Sequence, residues 1–169
     1  LPFLKGLELS GLVDQIDLSL DFPSECAQKL ITIEVDLGLV PVAVIPQLKI
    51  HHIVSDFCIG ADGAVDTVLL LSDVPIEEVN TIYLDYQSRT SVVLAQILAK
   101  EYWHIAPNWM PSEAGYESLI SGQAAGVVIG DRTFDLAHKF NYVYDLSQAW
   151  KEFTGKPFVF ACWVSNKEL

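Results

Sequence analysis

The sequence repeats one short pattern 88 residues apart, and this repeat constrains the fold more than any other feature. Residues 23–25, Pro-Ser-Glu, open the first copy, and residues 111–113, again Pro-Ser-Glu, open the second. In each copy the serine is expected to cap a helix of about nine residues, with the glutamate in the first turn, where the helix dipole favours an acid. An apolar strand follows, at 36–40 in one copy and 125–129 in the other. The shared order of elements predicts a duplicated unit.

Helical and strand patterns alternate along the rest of the chain. Asp145 and Gly155 are the expected N-cap and C′ residues of one helix, over 146–153. Alternation of helices with short apolar strands predicts an α/β fold with a parallel sheet in each of two lobes and a ligand cleft between them. The other predicted helices cover residues 2–12, 90–102 and 133–138, and the other predicted strands cover 16–20, 67–71, 81–85 and 158–164.

The predicted lobe boundaries follow from the two copies. Residues 1–84 form lobe I, residues 85–156 form lobe II, and residues 157–169 return to lobe I. In the flank of the second copy, the predicted strand 81–85 precedes the helix 90–102, whereas the corresponding helix of the first copy, 2–12, begins next to Leu1. We therefore expect an N-terminal strand to be missing from lobe I, and a C-terminal helical segment to be missing after residue 169.

The composition excludes several classes of function. Asp and Glu number 22 against 10 Lys and Arg, so the formal net charge is −12, which argues against nucleic acids and anionic membranes as partners. Although 51% of the residues are hydrophobic, no apolar run reaches the roughly 18 residues of a membrane helix. Cys26, Cys58 and Cys162 are odd in number and scattered, which argues against a disulfide scaffold or a thiolate metal site. These features together predict a cytoplasmic protein.

The segment 88–91, Ser-Arg-Thr-Ser, is the clearest candidate for ligand binding. It follows one predicted strand and opens a helix, so backbone N–H groups, the hydroxyls of Thr90 and Ser91 and the positive end of the helix dipole would converge on an anion. The alternative is an ordinary Ser88 N-cap with Arg89 in solvent.

Two further segments are candidates for the cleft. Gly130 and Asp131 end a predicted strand, where a carboxylate is well placed to face a ligand, although Asp131 could instead cap the next helix. Val42 and Ala43 hold the corresponding place in the first copy, where only their backbone N–H groups could make a polar contact.

The sequence contains no signature of metal or nucleotide chemistry. His51, His52, His104 and His138 do not stand at metal-ligand spacings from Cys, Asp or Glu. No Walker loop, GxGxxG, GxSxG or HExxH motif occurs.

Four blocks along the chain resemble the chorismate dehydratase family, which acts first in the futalosine route to menaquinone. The blocks are residues 84–92 (Leu-Asp-x-x-Ser-Arg-Thr-Ser-Val), 23–25 with 35–41 (Val-Asp-x-Gly-Leu-Val-Pro), 128–131 (Val-Ile-Gly-Asp) and 144–163 (Tyr-Asp-Leu to Trp). The resemblance implies a type II periplasmic-binding-protein fold in a cytoplasmic lyase. It also implies dehydration of chorismate to 3-enolpyruvylbenzoate, 3-[(1-carboxyvinyl)oxy]benzoate, without a metal or an organic cofactor.

The same resemblance suggests roles for individual residues. Ser88, Thr90 and Ser91 would bind a substrate carboxylate, Val42 and Ala43 would lie on the opposing lobe, and Gly130 and Asp131 would line the cleft floor. Asp131 is the candidate base, with a carboxylate of the substrate as the alternative.

The sequence departs from the family in two places. We expect the polar turn that precedes Leu1 in the family to be missing, and Val42 and Ala43 stand where the family often has a hydroxyl residue. Two other functions stay open: a 1,4-dihydroxy-6-naphthoate synthase-like activity of the same pathway, and a non-catalytic module that binds a small anion.

Overall fold

The computed structural model describes residues 2–168, which form two β-sheets flanked by helices. The α-helices are α1 (Pro2–Ser10), α2 (Pro23–Ile31), α3 (Thr90–Glu101), α4 (Arg132–Leu136) and α5 (Leu146–Thr154). The strands are β1 (Leu37–Pro41), β2 (His52–Ala61), β3 (Val68–Ser72), β4 (Thr81–Leu84), β5 (Asn108–Pro111), β6 (Ala124–Ile129), β7 (Tyr142–Asp145) and β8 (Phe158–Ser165). Short 3-10 helices cover Leu12–Gln15, Val42–Gln47, Ile76–Glu78, Tyr116–Leu119 and Ala137–Lys139. None of the helices within 2–168 has the length and apolar character needed to cross a membrane.

The two sheets differ in topology. One has the order β1-β8-β2, and β8 is antiparallel to both of its neighbours. The other has the order β5-β4-β6-β3-β7, in which β4 is parallel to β5 and β6 while β3 is antiparallel to β6 and β7. The mixed α/β class is confirmed. The prediction of a parallel sheet in each lobe is wrong for the three-stranded sheet and holds only for part of the five-stranded one.

Most elements with strong local signals form where they were predicted. The structure contains the predicted strands at β1, β3, β4, β6 and β8, and α3 begins at Thr90 as expected. The Asp145 carboxylate accepts hydrogen bonds from the backbone N–H groups of Ser147 (2.9 Å) and Gln148 (3.0 Å), which confirms it as the N-cap of α5. Gly155 ends that helix at φ 72°, a conformation that favours glycine.

The predicted duplication is wrong in the second copy, and in the first copy the predicted helix forms but with a different N-cap. In the first copy Phe22, not Ser24, is the N-cap of α2, and its N–H donates to the Glu25 carboxylate (3.4 Å). In the second copy no α-helix forms between Pro111 and the start of β6 at Ala124. The Ser112 hydroxyl donates to the carbonyl oxygen of Leu84 (2.5 Å) instead of capping a helix, and only a 3-10 turn follows.

The strand predicted at 16–20 is also wrong. Residues 16–22 form no regular element, and the side chains of Ile16 and Leu20 are 46% and 68% exposed. No strand among residues 2–168 pairs with this segment, and a strand without a partner leaves its backbone groups unpaired.

The two sheets have separate buried clusters, and β8 contributes to clusters of both. One cluster joins α2 to the three-stranded sheet and contains Ala27, Leu30, Val40, Val44, Leu48, Cys162 and Val164. Two further clusters lie on the five-stranded sheet. One contains Leu69, Leu71, Tyr116, Ile120 and Val128, and the other joins α3 and α5 to the sheet and includes Leu70, Ile82, Leu94, Leu98, Val127 and Leu146. Phe158 and Phe160 of β8 pack against this last cluster, so the strand that completes one sheet also contacts the core of the other.

The predicted lobe boundary after residue 84 falls between β4 and α3. Strands β3 and β4, which precede that boundary, already pair with the later strands β5, β6 and β7. The exact limits of the lobes stay a prediction.

Candidate functional site

A cavity of about 270 Å³ lies between the two sheets, close to the lower end of the ~300–1,000 Å³ of small-molecule sites. Strands β2, β3, β6 and β8 and the turn before α3 contribute to its wall. The lining residues are Pro23, Pro41, Ile59, Gly60, Val65, Thr67, Val68, Gln87, Ser88, Arg89, Thr90, Ser91, Ile129, Gly130, Phe160 and Ala161. Most of this wall is apolar, and its polar groups are concentrated at the beginning of α3. The cavity therefore suits a ligand with an apolar body and an anionic end.

The turn before α3 is shaped by backbone capping. The Asp85 carboxylate accepts a hydrogen bond from the N–H of Gln87 (2.8 Å), which turns the chain at the end of β4. The Ser88 hydroxyl oxygen then accepts from the N–H of Ser91 (3.1 Å) and covers one of the unpaired donors of the first helical turn. Thus Ser88 both caps the helix and lines the cavity.

Thr90 and Ser91 are both buried, but their hydroxyls have different surroundings. Thr90, 5% exposed, donates from Oγ1 to the carbonyl oxygen of Phe160 (2.9 Å), and the same oxygen accepts from the N–H of Ala43 (3.4 Å). Ser91, 4% exposed, makes no side-chain hydrogen bond to any residue within 2–168. The Ser91 hydroxyl is therefore available to a ligand, whereas the Thr90 hydroxyl joins parts of the protein.

Arg89 supplies the positive charge at this site. Its side chain is exposed, lines the cavity and forms no ion pair with the residues that the structure describes. In a chain of net charge −12, such a guanidinium beside a helix N-terminus makes the region locally attractive to an anion.

A buried polar network fixes the end of β4 next to this turn. The Asp85 carboxylate, 2% exposed, contacts the Arg132 guanidinium (2.5 Å) and accepts from the phenol of Tyr116 (3.0 Å). Arg132 also contacts Glu117 (2.6 Å), and the N–H of Ile129 donates to Asp85 (3.3 Å). The network holds β4, β6 and α4 together, and its polar side chains lie outside the cavity lining, so it acts by positioning the site.

The same network perturbs a phenol. Burial, and to a lesser extent the neighbouring Asp85 carboxylate, raise the pKa of Tyr116 far above its ordinary value. Its O–H contacts both the Asp85 carboxylate and the carbonyl oxygen of Val127. Tyr116 is thus a neutral hydrogen-bond donor at physiological pH.

The remaining predicted site residues divide into two groups. Gly130 lines the cavity, at φ 71°. Asp131 is exposed and lies outside the lining. It occupies the N-cap position of α4, but its carboxylate accepts no capping hydrogen bond. Val42 and Ala43 also lie outside the lining, because the chain enters a 3-10 helix after Pro41 and the Ala43 N–H is directed at Thr90.

Several residues of the site were missed by the sequence analysis. Ile59, Gly60, Val65 and Phe160 come from strands and loops distant in sequence, and nothing local marks them as cavity residues. Arg89 belongs to the predicted segment 88–91, but the sequence did not indicate that its side chain would line a cavity or that it would form no ion pair with the described residues.

Comparison with known proteins relates the chain to one pathway. Residues 1–169 match the sequence profile of a family described as "Menaquinone biosynthesis". A curated chorismate dehydratase of Thermus thermophilus is 29% identical in an alignment 168 residues long. The alignment covers 86% of this chain and 60% of that protein. The chain thus spans 60% of the length of this curated relative.

Two solved structures resemble the chain in three dimensions. A protein of Archaeoglobus fulgidus aligns with a TM-score of 0.65 at 16% identity, over 99% of this chain and 64% of that one, which relates the folds alone. An ABC transporter structure from Parabacteroides distasonis has a TM-score of 0.48 at 16% identity, over 86% and 53% of the two chains, a similarity too low to support an argument.

Proposed function

Because this chain belongs to the menaquinone biosynthesis family, we propose that it acts as a chorismate dehydratase, a hydro-lyase that converts chorismate to 3-[(1-carboxyvinyl)oxy]benzoate. The curated relative from Thermus thermophilus bears that name. The observation that carries the proposal is the cavity between the two sheets, with the hydroxyls and N–H groups of residues 88–91 at its polar end. Chorismate, which has an apolar ring and two carboxylates, has matching chemistry.

The first turn of α3 would bind one substrate carboxylate. Its unpaired N–H groups and the helix dipole favour an anion, and the free hydroxyl of Ser91 adds a donor. Arg89 attracts the dianion to the cavity mouth, and Thr90 holds the helix terminus against β8. The apolar wall, including Ile59 and Phe160, would contact the ring.

The finer architecture is part of the same proposal. Two lobes of the type II periplasmic-binding-protein kind, one around each sheet, would enclose the cavity, and Val42 and Ala43 would face the substrate from the opposing lobe. We also place the protein in the cytoplasm, where its substrate would be made.

The reaction needs little besides orientation and a base. Loss of the ring hydroxyl and a ring proton makes the ring aromatic, so the driving force is large, and the protein has to hold the substrate where a base can take the proton. No Asp, Glu, His or Lys occurs among the described residues that line the cavity. Asp131, next to Gly130, is the proposed base, and a carboxylate of the substrate is the alternative.

The same observation favours a second candidate function. A cavity whose wall, within residues 2–168, offers no carboxylate, imidazole or amine is also what a non-catalytic binding module for a small carboxylate would have. In that case the first turn of α3 would bind the anion without any chemical conversion.

The experiment that tests the proposal is incubation of the protein with chorismate, followed by chromatography and mass analysis of the products. We expect an aromatic enol ether that has lost one water, formed faster than in a parallel incubation without protein. Chorismate that binds but is recovered unchanged would overturn the dehydratase and favour the binding module. Chorismate that neither binds nor reacts would overturn both.

A further inference from the structure

Two of the three cysteines lie directly opposite each other on neighbouring strands. In the antiparallel pair of β2 and β8, Cys58 is the register partner of Cys162, and Ile59 is the partner of Ala161. The two residues are far apart in sequence and become neighbours only because β2 pairs with β8.

The backbone geometry of this pair suits a disulfide. Residues directly opposite in an antiparallel pair project to the same face, with Cα atoms about 4.5–5.5 Å apart. Disulfides connect Cα atoms about 4.4–6.8 Å apart, so the bond requires no change of register. Both thiols are free in this structure. Burial raises the pKa of the Cys162 thiol and the neighbouring Cys58 raises it further, as expected of two sulfur atoms that lie close together.

The two thiols differ in access, which sets the order in which they would react. Cys58 is exposed, so an oxidant in solution can reach it, whereas Cys162 is only 6% exposed. Cys26, the third cysteine, lies on α2 and packs against the buried cluster that contains Cys162, but it is not part of the β2–β8 strand pair.

The pair is also next to the cavity. Ile59 and Gly60 follow Cys58 on β2, Phe160 and Ala161 precede Cys162 on β8, and all four line the cavity. A bond between these strands would therefore cross-link one wall of the site.

We propose that Cys58 and Cys162 form a reversible thiol–disulfide site that reacts with low-molecular-weight disulfides such as oxidised glutathione. The Cys58 thiolate attacks the small disulfide, forms a mixed disulfide and releases one small thiol. The Cys162 thiolate then attacks the Cys58 sulfur and releases the second small thiol. The two protein thiols lose two electrons and two protons, and the small disulfide gains them. The assignment is independent of the proposed enzymatic function, because it is tested by thiol content and mass.

The test treats the reduced protein with oxidised glutathione, then counts free thiols by alkylation and measures intact mass under denaturing conditions. We expect the number of free thiols to fall from three to one, with the mass lower by two hydrogen atoms, and a reductant to restore both. Peptide mapping should give one cross-linked pair containing Cys58 and Cys162.

Three variants complete the design. Cys26→Ser is the matched control and should still lose two thiols. Cys162→Ser should stop at a glutathione adduct on Cys58, and Cys58→Ser, altered at an exposed position, should keep both remaining thiols. Three unreacted thiols in the wild type, a stable glutathione adduct on it, or a cross-link that involves Cys26 or a second chain would each overturn the proposal.

Discussion

Thr90 Oγ1 donates a hydrogen bond to the carbonyl oxygen of Phe160 (2.9 Å), which ties the first turn of α3 to β8, the central strand of the three-stranded sheet. The same oxygen accepts from the N–H of Ala43, just after β1 (3.4 Å). One buried hydroxyl therefore connects helix α3, which packs on the five-stranded sheet, with two segments of the other sheet. The Thr90 hydroxyl therefore holds the two walls of the cavity in place.

Replacement of Thr90 by valine should lower the free energy of unfolding by about 1–3 kcal/mol, because it leaves the Phe160 carbonyl and the Ala43 N–H without their partner. Urea denaturation measures this loss. Thr90→Ser keeps the hydroxyl and is the control, expected to retain most of the stability. Equal stability of the valine variant and the wild type would contradict the bridging role.

Ser91→Ala should weaken the binding of a carboxylate ligand by about 1–3 kcal/mol while leaving the stability nearly unchanged. The reason is that the Ser91 hydroxyl lines the cavity and has no partner among residues 2–168. Titration calorimetry with chorismate measures the dissociation constant. Ser118→Ala is the matched control, since that exposed serine lies outside the cavity lining. An unchanged dissociation constant for Ser91→Ala would argue against an anion site at α3.

Tyr116 should make the protein less stable in alkali. Because burial and the nearby Asp85 carboxylate raise its pKa in the folded state, the unfolded chain ionises first, at about pH 10. The neutral phenol therefore stabilises the folded state fully below about pH 10. Above that pH the free energy of unfolding falls by up to about 1.4 kcal/mol per pH unit. Tyr116→Phe should reduce the slope of unfolding free energy against pH in that range, in urea titrations at several pH values. Equal slopes for both proteins would show that the phenol does not contribute.

Asp131→Asn tests the proposed base. If Asp131 takes the ring proton, the variant should lose about 10²–10⁴-fold in kcat with little change in KM. The exposed position of Asp131 means that its folding should be unaffected, which urea denaturation can check. Turnover at the wild-type rate would exclude Asp131 and leave a carboxylate of the substrate as the base.

Elements with local signals were predictable from the sequence. The cap at Asp145, the terminating Gly155 and the start of α3 at Thr90 all depend on groups within a few residues of one another. The same is true of Ser88, whose hydroxyl caps the helix that it precedes. These contacts form whenever the segment adopts its conformation, so a short window of sequence contains the information.

The failures have a different cause. The apolar alternation at 16–20 is a good strand pattern, but a strand also needs a neighbour, and none pairs with it among residues 2–168. The repeated Pro-Ser-Glu at 111–113 looks like a helix start, yet the Ser112 hydroxyl is taken by the carbonyl of Leu84. In both cases a tertiary relationship outweighed a local preference.

By itself, the sequence determined the α/β class and the positions of most strands and helices, and it predicts an anion site at residues 88–91. Only the tertiary structure decided that Thr90 is engaged while Ser91 is free, that Asp85 binds Arg132, and that Cys58 faces Cys162. The physical reason is the distance along the chain over which each kind of interaction acts. Capping and hydrophobic periodicity act over a few residues, whereas a hydroxyl, a charge or a thiol acquires its chemistry from partners that strand pairing and packing bring from distant parts of the chain.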